Sequence, residues 1–159
     1  MPDEIEPTWL TPAAHRRLEE ELERLTTVGR RRMEERLAEA RSHGDIRENA
    51  DYEAAKQEQG LMEARIRRLR HLLKTAEVRA AESTDVVEIG SLVTVREDGE
   101  EQEYLVATPE NRVPGHPLAS PSGPLGRALL GARAGDRVEY QAPGGTFTVE
   151  IVTIRPFDA

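Results

Sequence analysis

The stretch "NADYEAAKQEQGLMEARIRRLRHLLKTA", residues 49–76, decides the fold. Tyr52, Ala55, Gln59, Met62, Ile66, Leu69, Leu73 and Ala76 recur at alternating spacings of three and four. That period is a heptad seam, so the segment is predicted to be a long helix with one apolar stripe. Asn49 suits its N-cap, and Asp51 and Glu53 suit the positive end of its dipole. Such a helix is marginal alone, and its stripe needs a partner.

The partner lies upstream. Thr11-Pro12 is a start signal, a hydroxyl N-cap followed by proline at the first helical position. Leu18, Leu22 and Leu25 form one apolar set, and Met33, Leu37 and Ala40 form another. The sets differ in phase by one residue around Gly29, as at a stutter in a coiled coil. Gly44 ends the run. Two helices joined by a short turn lie antiparallel, and about 30 residues per arm give a length of roughly 45 Å.

The turn falls in "SHGDIREN", residues 42–49, and carries Asp45 and Glu48. Two readings of this acid pair stand side by side. Acids at a helix start are favoured by the dipole. Alternatively, Mg²⁺ takes six oxygens, and proteins often supply only one or two carboxylates beside a substrate's phosphates. A bare pair cannot make a tight site in water, but it could complete a site belonging to another molecule. Arg41, Arg47 and Lys56 surround the turn. Further down, Arg30, Arg31 and Arg32 face Arg65, Arg67 and Arg68 if the turn centres near residue 46, a belt roughly 25 Å below the tip. The belt could hold phosphates. Equally, Glu34, Glu35 and Glu63 could pair with it and leave a solvated flank.

The period changes in the second half. Residues 91–98, 100–108, 136–143 and 146–154 alternate or run apolar as strands do. Asp98-Gly99 fits a tight hairpin turn, and Pro143-Gly144-Gly145 marks another. "SGPLGRALLGA" reads as a short helix capped by Ser122 and closed near Gly131. The expected fold class is therefore α+β. An antiparallel helical coiled-coil hairpin spans 1–80, and a small antiparallel sheet domain with a short helix spans 81–159, joined through a linker at 80–85.

Composition agrees with long exposed helices: of 159 residues, 33% are charged, 37% apolar and 4% aromatic. Without cysteine, disulfides and thiolate metal sites are excluded. The four histidines lack ligand spacing. The acidic N-terminus has no apolar core, no run approaches membrane-spanning length, and a soluble cytoplasmic protein is expected. A net charge of -8 argues against a general basic nucleic-acid face. The charge is uneven, with 16 Lys+Arg and 17 Asp+Glu in residues 1–80 against 6 and 13 in residues 81–159.

"HGDIRENADYEAAKQEQGLMEARIRRL" closely resembles the tip and second arm of bacterial transcript cleavage factors of the Gre family, GreA type. "WLTPAAHRRLEEELERL" is similar to the family's entry into its coiled coil, and "SGPLGRALLGARAGDRVEYQAPGGTFTVEIV" to the latter part of its C-terminal domain. The resemblance implies a coiled-coil hairpin followed by an FKBP-like domain that docks at the rim of the RNA polymerase secondary channel. It implies that the tip reaches the polymerase active site. There Asp45 and Glu48 would help hold the second Mg²⁺, and the polymerase would cut the 3′ end of a backtracked nascent RNA. The Mg²⁺ would be held by RNA polymerase, and the protein would have no cofactor and no active site of its own.

By the same resemblance, Arg41, Arg47, Asn49, Tyr52 and Lys56 would face the RNA or the channel wall. Ser122 and Pro124 would lie in the polymerase-docking loop, where Ser122-Gly123-Pro124 departs from the family's asparagine or aspartate, serine, proline. A monomer with no membrane partner is expected. Three alternatives stand beside this reading: a secondary-channel binder that inhibits or regulates transcription without cleavage, a prolyl isomerase, and a passive coiled-coil adaptor. A prolyl isomerase pocket would have to be built from Tyr104, Tyr140, Phe147 and Phe157.

Overall fold

The computed structural model describes residues 8–42 and 46–157. Strand β1 is Trp9–Leu10 and helix α1 is Pro12–Arg24. A π-helical turn, Leu25–Gly29, joins α1 to α2, Arg30–Ser42, and α3 is Ile46–Thr75. The remaining strands are β2, Glu77–Val78; β3, Ser91–Glu97; β4, Glu100–Val106; β5, Leu118–Ala119; β6, Arg137–Ala142; and β7, Gly145–Pro156. Helix α4, Pro124–Leu129, lies between β5 and β6. The fold class is α+β, an antiparallel helical hairpin together with a mainly antiparallel sheet.

The hairpin follows the heptad reading. Tyr52, Gln59, Met62, Leu73 and Ala76 are half-buried, and Ala55, Ile66 and Leu69 are buried. On the first arm Leu18, Leu37 and Ala40 are buried, with Leu22, Leu25 and Met33 half-buried. Fully burying a side chain such as Ile66 or Leu69 contributes about 1.5–3 kcal/mol. The one-residue phase slip is absorbed by the π-turn, whose extra residue rotates α2 back onto the seam. The Arg30 amide donates to Leu25 O across the turn. The Thr26 hydroxyl donates to Leu22 O at 2.8 Å and the Thr27 hydroxyl to Glu23 O at 2.7 Å, so both side chains bond carbonyls of the preceding turn. Gly29 matters here because a Cβ on it would stand 3.3 Å from Met62 Sδ.

Helix starts match the sequence in one case and differ in two. Thr11 caps α1, its Oγ1 accepting the Ala14 amide at 3.1 Å. Asn49 is not the cap of α3, which begins three residues earlier at Ile46. Extending a helix that is already nucleated costs little, and Glu48 then lies in the first turn, where the dipole favours it. Ser122 does not cap α4 either: Gly123 takes that position without a side-chain hydrogen bond, and Pro124 opens the helix. The helix ends as read, with Gly131 at φ 82°.

The sheet runs β5-β4-β3-β7-β6, antiparallel except where β5 lies parallel to β4. Asp98 (φ 50°) and Gly99 (φ 82°) make the expected turn, since both central residues take the left-handed conformation. Strand β3 sends Leu92 to one face and Val93 and Val95 to the other, and each face has its own apolar cluster. Thr94 pairs with Thr153 and Val95 with Ile151, so Val152 is an extra, bulged residue. The bulge lets Val149, Ile151 and Ile154 all join one cluster although strict alternation would separate them. Leu125 and Leu129 of α4 cover that face, and Val113 and Leu118 pack on the other.

By contacts the chain divides into residues 16–75 and a second unit of 1–15 with 76–159. The boundary read at residue 80 differs from this at both ends, because β1 pairs in parallel with β2 and Thr11 is tied to Asn111. Buried Asn111 accepts the Thr11 amide at 2.7 Å and donates to Trp9 O at 2.8 Å and Thr108 Oγ1 at 3.0 Å. The reading at 80–85 is of a linker, yet Ala81 is buried there and lies against Gly90. Among the described residues no helix is long and apolar enough to cross a membrane.

Candidate functional site

The arms are cross-linked by a ladder of side-chain contacts. Arg65 grips Glu21 at 2.8 and 2.9 Å, a sequence separation of 44. Arg30 grips Glu63 at 3.0 Å through both oxygens, a separation of 33. Arg36 bonds Glu58, a separation of 22, and reaches Asp51 at 3.8 Å. Arg41 Nη2 donates to the Tyr52 hydroxyl at 3.2 Å, a separation of 11. The falling separation is the signature of an antiparallel hairpin, and it leads toward the end of α2 at Ser42 and the start of α3 at Ile46.

Asp45 lies outside the described residues, as do the side chains of Arg47, Glu48 and Asn49. The backbone of these last three forms the first turn of α3. Of the predicted contact residues, the structure brings Arg41, Tyr52 and Lys56 together. The Arg41 guanidinium carbon is 5.5 Å from the Tyr52 ring centroid and Lys56 Nζ is 6.0 Å from it, within the range of cation–π attraction. The Arg41 hydrogen bond, with the nearby Arg41 and Lys56 charges, holds the Tyr52 hydroxyl below its ordinary pKa, while desolvation and, less strongly, Glu53 oppose the shift.

The six-arginine belt is not intact. Arg30 and Arg65 are engaged by Glu63 and Glu21. Each pair holds its carboxyl below the usual range through the arginine hydrogen bond. Arg31, Arg32, Arg67 and Arg68 are exposed. Among the described residues no group of three or more acids and histidines could hold a metal.

Ser122 and Pro124 belong to the other unit, and both are exposed. The Ser122 carbonyl accepts Arg127 Nε at 2.8 Å and Nη2 at 2.6 Å, and the Ser122 hydroxyl lies 3.1 Å from Ser120 Oγ. Gly126 makes this loop possible, since a Cβ on it would lie 1.8 Å from Ser120 O. Sequence reasoning missed this approach and the Asn111 clasp; both join residues whose local sequence carries no period. The four aromatics proposed for a prolyl isomerase pocket do not all converge. Tyr104 and Tyr140 pack on one cluster, with Phe147 stacked on Tyr140, and Phe157 belongs to the other.

Comparison with known proteins covers both halves. The model described as "Transcription elongation factor, N-terminal" (GreA/GreB) matches residues 8–78. That described as "Transcription elongation factor, GreA/GreB, C-term" matches residues 82–156. The chain is similar to transcription elongation factor GreA of Chloroflexus aurantiacus, at 44% identity over 94% of this chain and 98% of that protein. The corresponding factor of Streptomyces coelicolor is 41% identical over 95% and 94%. The crystal structure of GreA factor homolog 1 of Thermus thermophilus is 33% identical over 93% of this chain and 98% of that one, with a TM-score of 0.40.

Proposed function

The chain belongs to the GreA/GreB family of transcription elongation factors, and from that premise we propose that it stimulates RNA cleavage by backtracked bacterial RNA polymerase. In this reading the hairpin enters the secondary channel of the polymerase, and Ser122 and Pro124 contribute to docking at its rim. Asp45 and Glu48 supply ligands for the more weakly held Mg²⁺ of the polymerase active site. When bound, that ion activates water and steadies the attacking and leaving oxygens of the displacement. Arg41, Arg47, Asn49, Tyr52 and Lys56 face the nascent RNA 3′ end or the channel wall. The factor works as a cytoplasmic monomer that activates another enzyme's hydrolysis, with no catalytic centre of its own.

The observation that carries the reading is the ladder between the arms. Its separations shrink toward the turn, and the acid pair belongs to the motif that spans that turn. A carboxylate pair in that motif, with Arg41 and Lys56 close to Tyr52, suits a half-site completed by a partner's metal and phosphates.

The test uses stalled, backtracked polymerase complexes with labelled RNA. Wild type is expected to release 3′ fragments faster than buffer, and Asp45→Ala/Glu48→Ala to lose that effect. Equal cleavage by the double variant sinks the proposal. Slowed synthesis without cleavage identifies a channel binder that regulates transcription instead.

A further inference from the structure

Among the described residues four arginines cross-link the arms, and three meet carboxylates: Arg65 meets Glu21, Arg30 meets Glu63 and Arg36 meets Glu58. The fourth, Arg41, stands nearest the turn and meets a phenol instead. The difference is chemical. A carboxylate orients an arginine and cancels its charge. A neutral phenol accepts one hydrogen bond and leaves the charge in place. The Tyr52 ring also attracts Lys56, one turn further along α3, so a second cation is drawn toward the same side chain. Among the described residues neither Arg41 nor Lys56 has a carboxylate within ion-pair distance.

Two long cationic side chains left alone would repel each other and sample many rotamers. Tyrosine has only two side-chain torsions, and its π face suits both cations. We propose that Tyr52 is a positioning residue, whose hydroxyl and ring hold Arg41 and Lys56 as a two-cation seat for a phosphate of the RNA 3′ segment. The proposal rests on the reading that the hairpin meets RNA in the polymerase. It differs from that reading in assigning Tyr52 an indirect role through Arg41 and Lys56. It also gives a reason why, among the described residues, the fourth contact uses a phenol where the other three use a carboxylate.

Four variants test it in the cleavage assay at saturating factor: Tyr52→Phe, Arg41→Ala, the two combined, and Tyr52→Glu. Tyr52→Phe keeps the ring and loses the hydroxyl, so cleavage should fall about two- to tenfold, the range of one hydrogen bond. In the Arg41→Ala background the same change should have no further effect, because a positioning residue acts through its partner. Tyr52→Glu should keep the hairpin's thermal midpoint, restoring an arginine–carboxylate contact, yet cleave more slowly than Tyr52→Phe. Additive losses, or Tyr52→Glu cleaving like wild type, overturn the proposal.

Ultraviolet titration of the free protein gives a readout without polymerase. One tyrosine should ionise earlier than the others, vanish in Tyr52→Phe and move up in Arg41→Ala. No shift in Arg41→Ala overturns the positioning role. A wild type inactive in cleavage but with the shifted tyrosine would instead overturn the functional reading and leave the positioning of Arg41 standing.

Discussion

Gly126 shows how one missing methyl shapes a loop. Its Cα faces the Ser120 carbonyl so closely that any side chain would collide with backbone. The clash cannot be relieved by a rotamer change, because the obstacle is a peptide group. Gly126→Ala is expected to cost about 1–3 kcal/mol, measured by thermal unfolding, and to loosen residues 120–127. Gly60, also within a helix, meets nothing within 4 Å, and alanine there should instead stabilise by about 0.5–1 kcal/mol. If both substitutions behave alike, the close approach at Gly126 is not what constrains the loop. The sequence marks both residues only as glycines. Their opposite roles depend on what faces each of them, and that is a tertiary fact.

At the scale of the element, the π-turn reconciles two apolar sets that differ by one residue. Deleting Thr27 should convert Leu25–Gly29 to ordinary α-helix and keep both sets on the seam. Deleting Ala38, an exposed residue of α2, should rotate Ala40 off the seam. Circular dichroism melts should show the first variant close to wild type and the second well below it. The reverse order would refute the phase argument. The same hairpin carries a pH dependence. Pairing with Arg65 and Arg30 depresses the folded-state pKa values of Glu21 and Glu63. Their contribution is therefore complete above the unfolded carboxyl range, near pH 4.3, and is lost as pH falls through the depressed values. Hairpin melting temperatures should drop below about pH 4, and Glu21→Gln/Glu63→Gln should flatten that drop. An unchanged acid profile in the double variant would show that these pairs do not set it.

For the whole molecule, the clasp at Asn111 gives the N-terminal segment its unit. Trp9 and Thr11 bond to a residue about a hundred positions away, while Trp9 and Leu10 pair in register with Glu77 and Val78. A fragment of residues 76–157 would leave the Asn111 carboxamide without those partners. It should be less stable by about 1–3 kcal/mol than the same unit with residues 8–15 present, and a synthetic peptide of residues 8–15 should restore part of the loss. Equal melting with and without the peptide would show that the clasp contributes nothing to the unit.

The hairpin, the turn residues of the sheet and the GreA-type motif were legible in the sequence, because heptad period, proline and glycine chemistry and motif spacing are local properties. The seam of α3 needed only its own residues, and so did the left-handed turn at Asp98-Gly99. The one-residue slip near Gly29 was visible too, though not the π-turn that absorbs it. Tertiary structure alone decided that α3 starts at Ile46, that Val152 bulges, and that β1 and β2 pair. It also decided which arginines are met by acids: Arg30 and Arg65 are engaged by carboxylates from the opposite arm, while Arg41 meets Tyr52. A two-residue strand or a clasp across a hundred residues leaves no period in the sequence. Such contacts depend on which side chains the folded backbone brings within hydrogen-bonding distance.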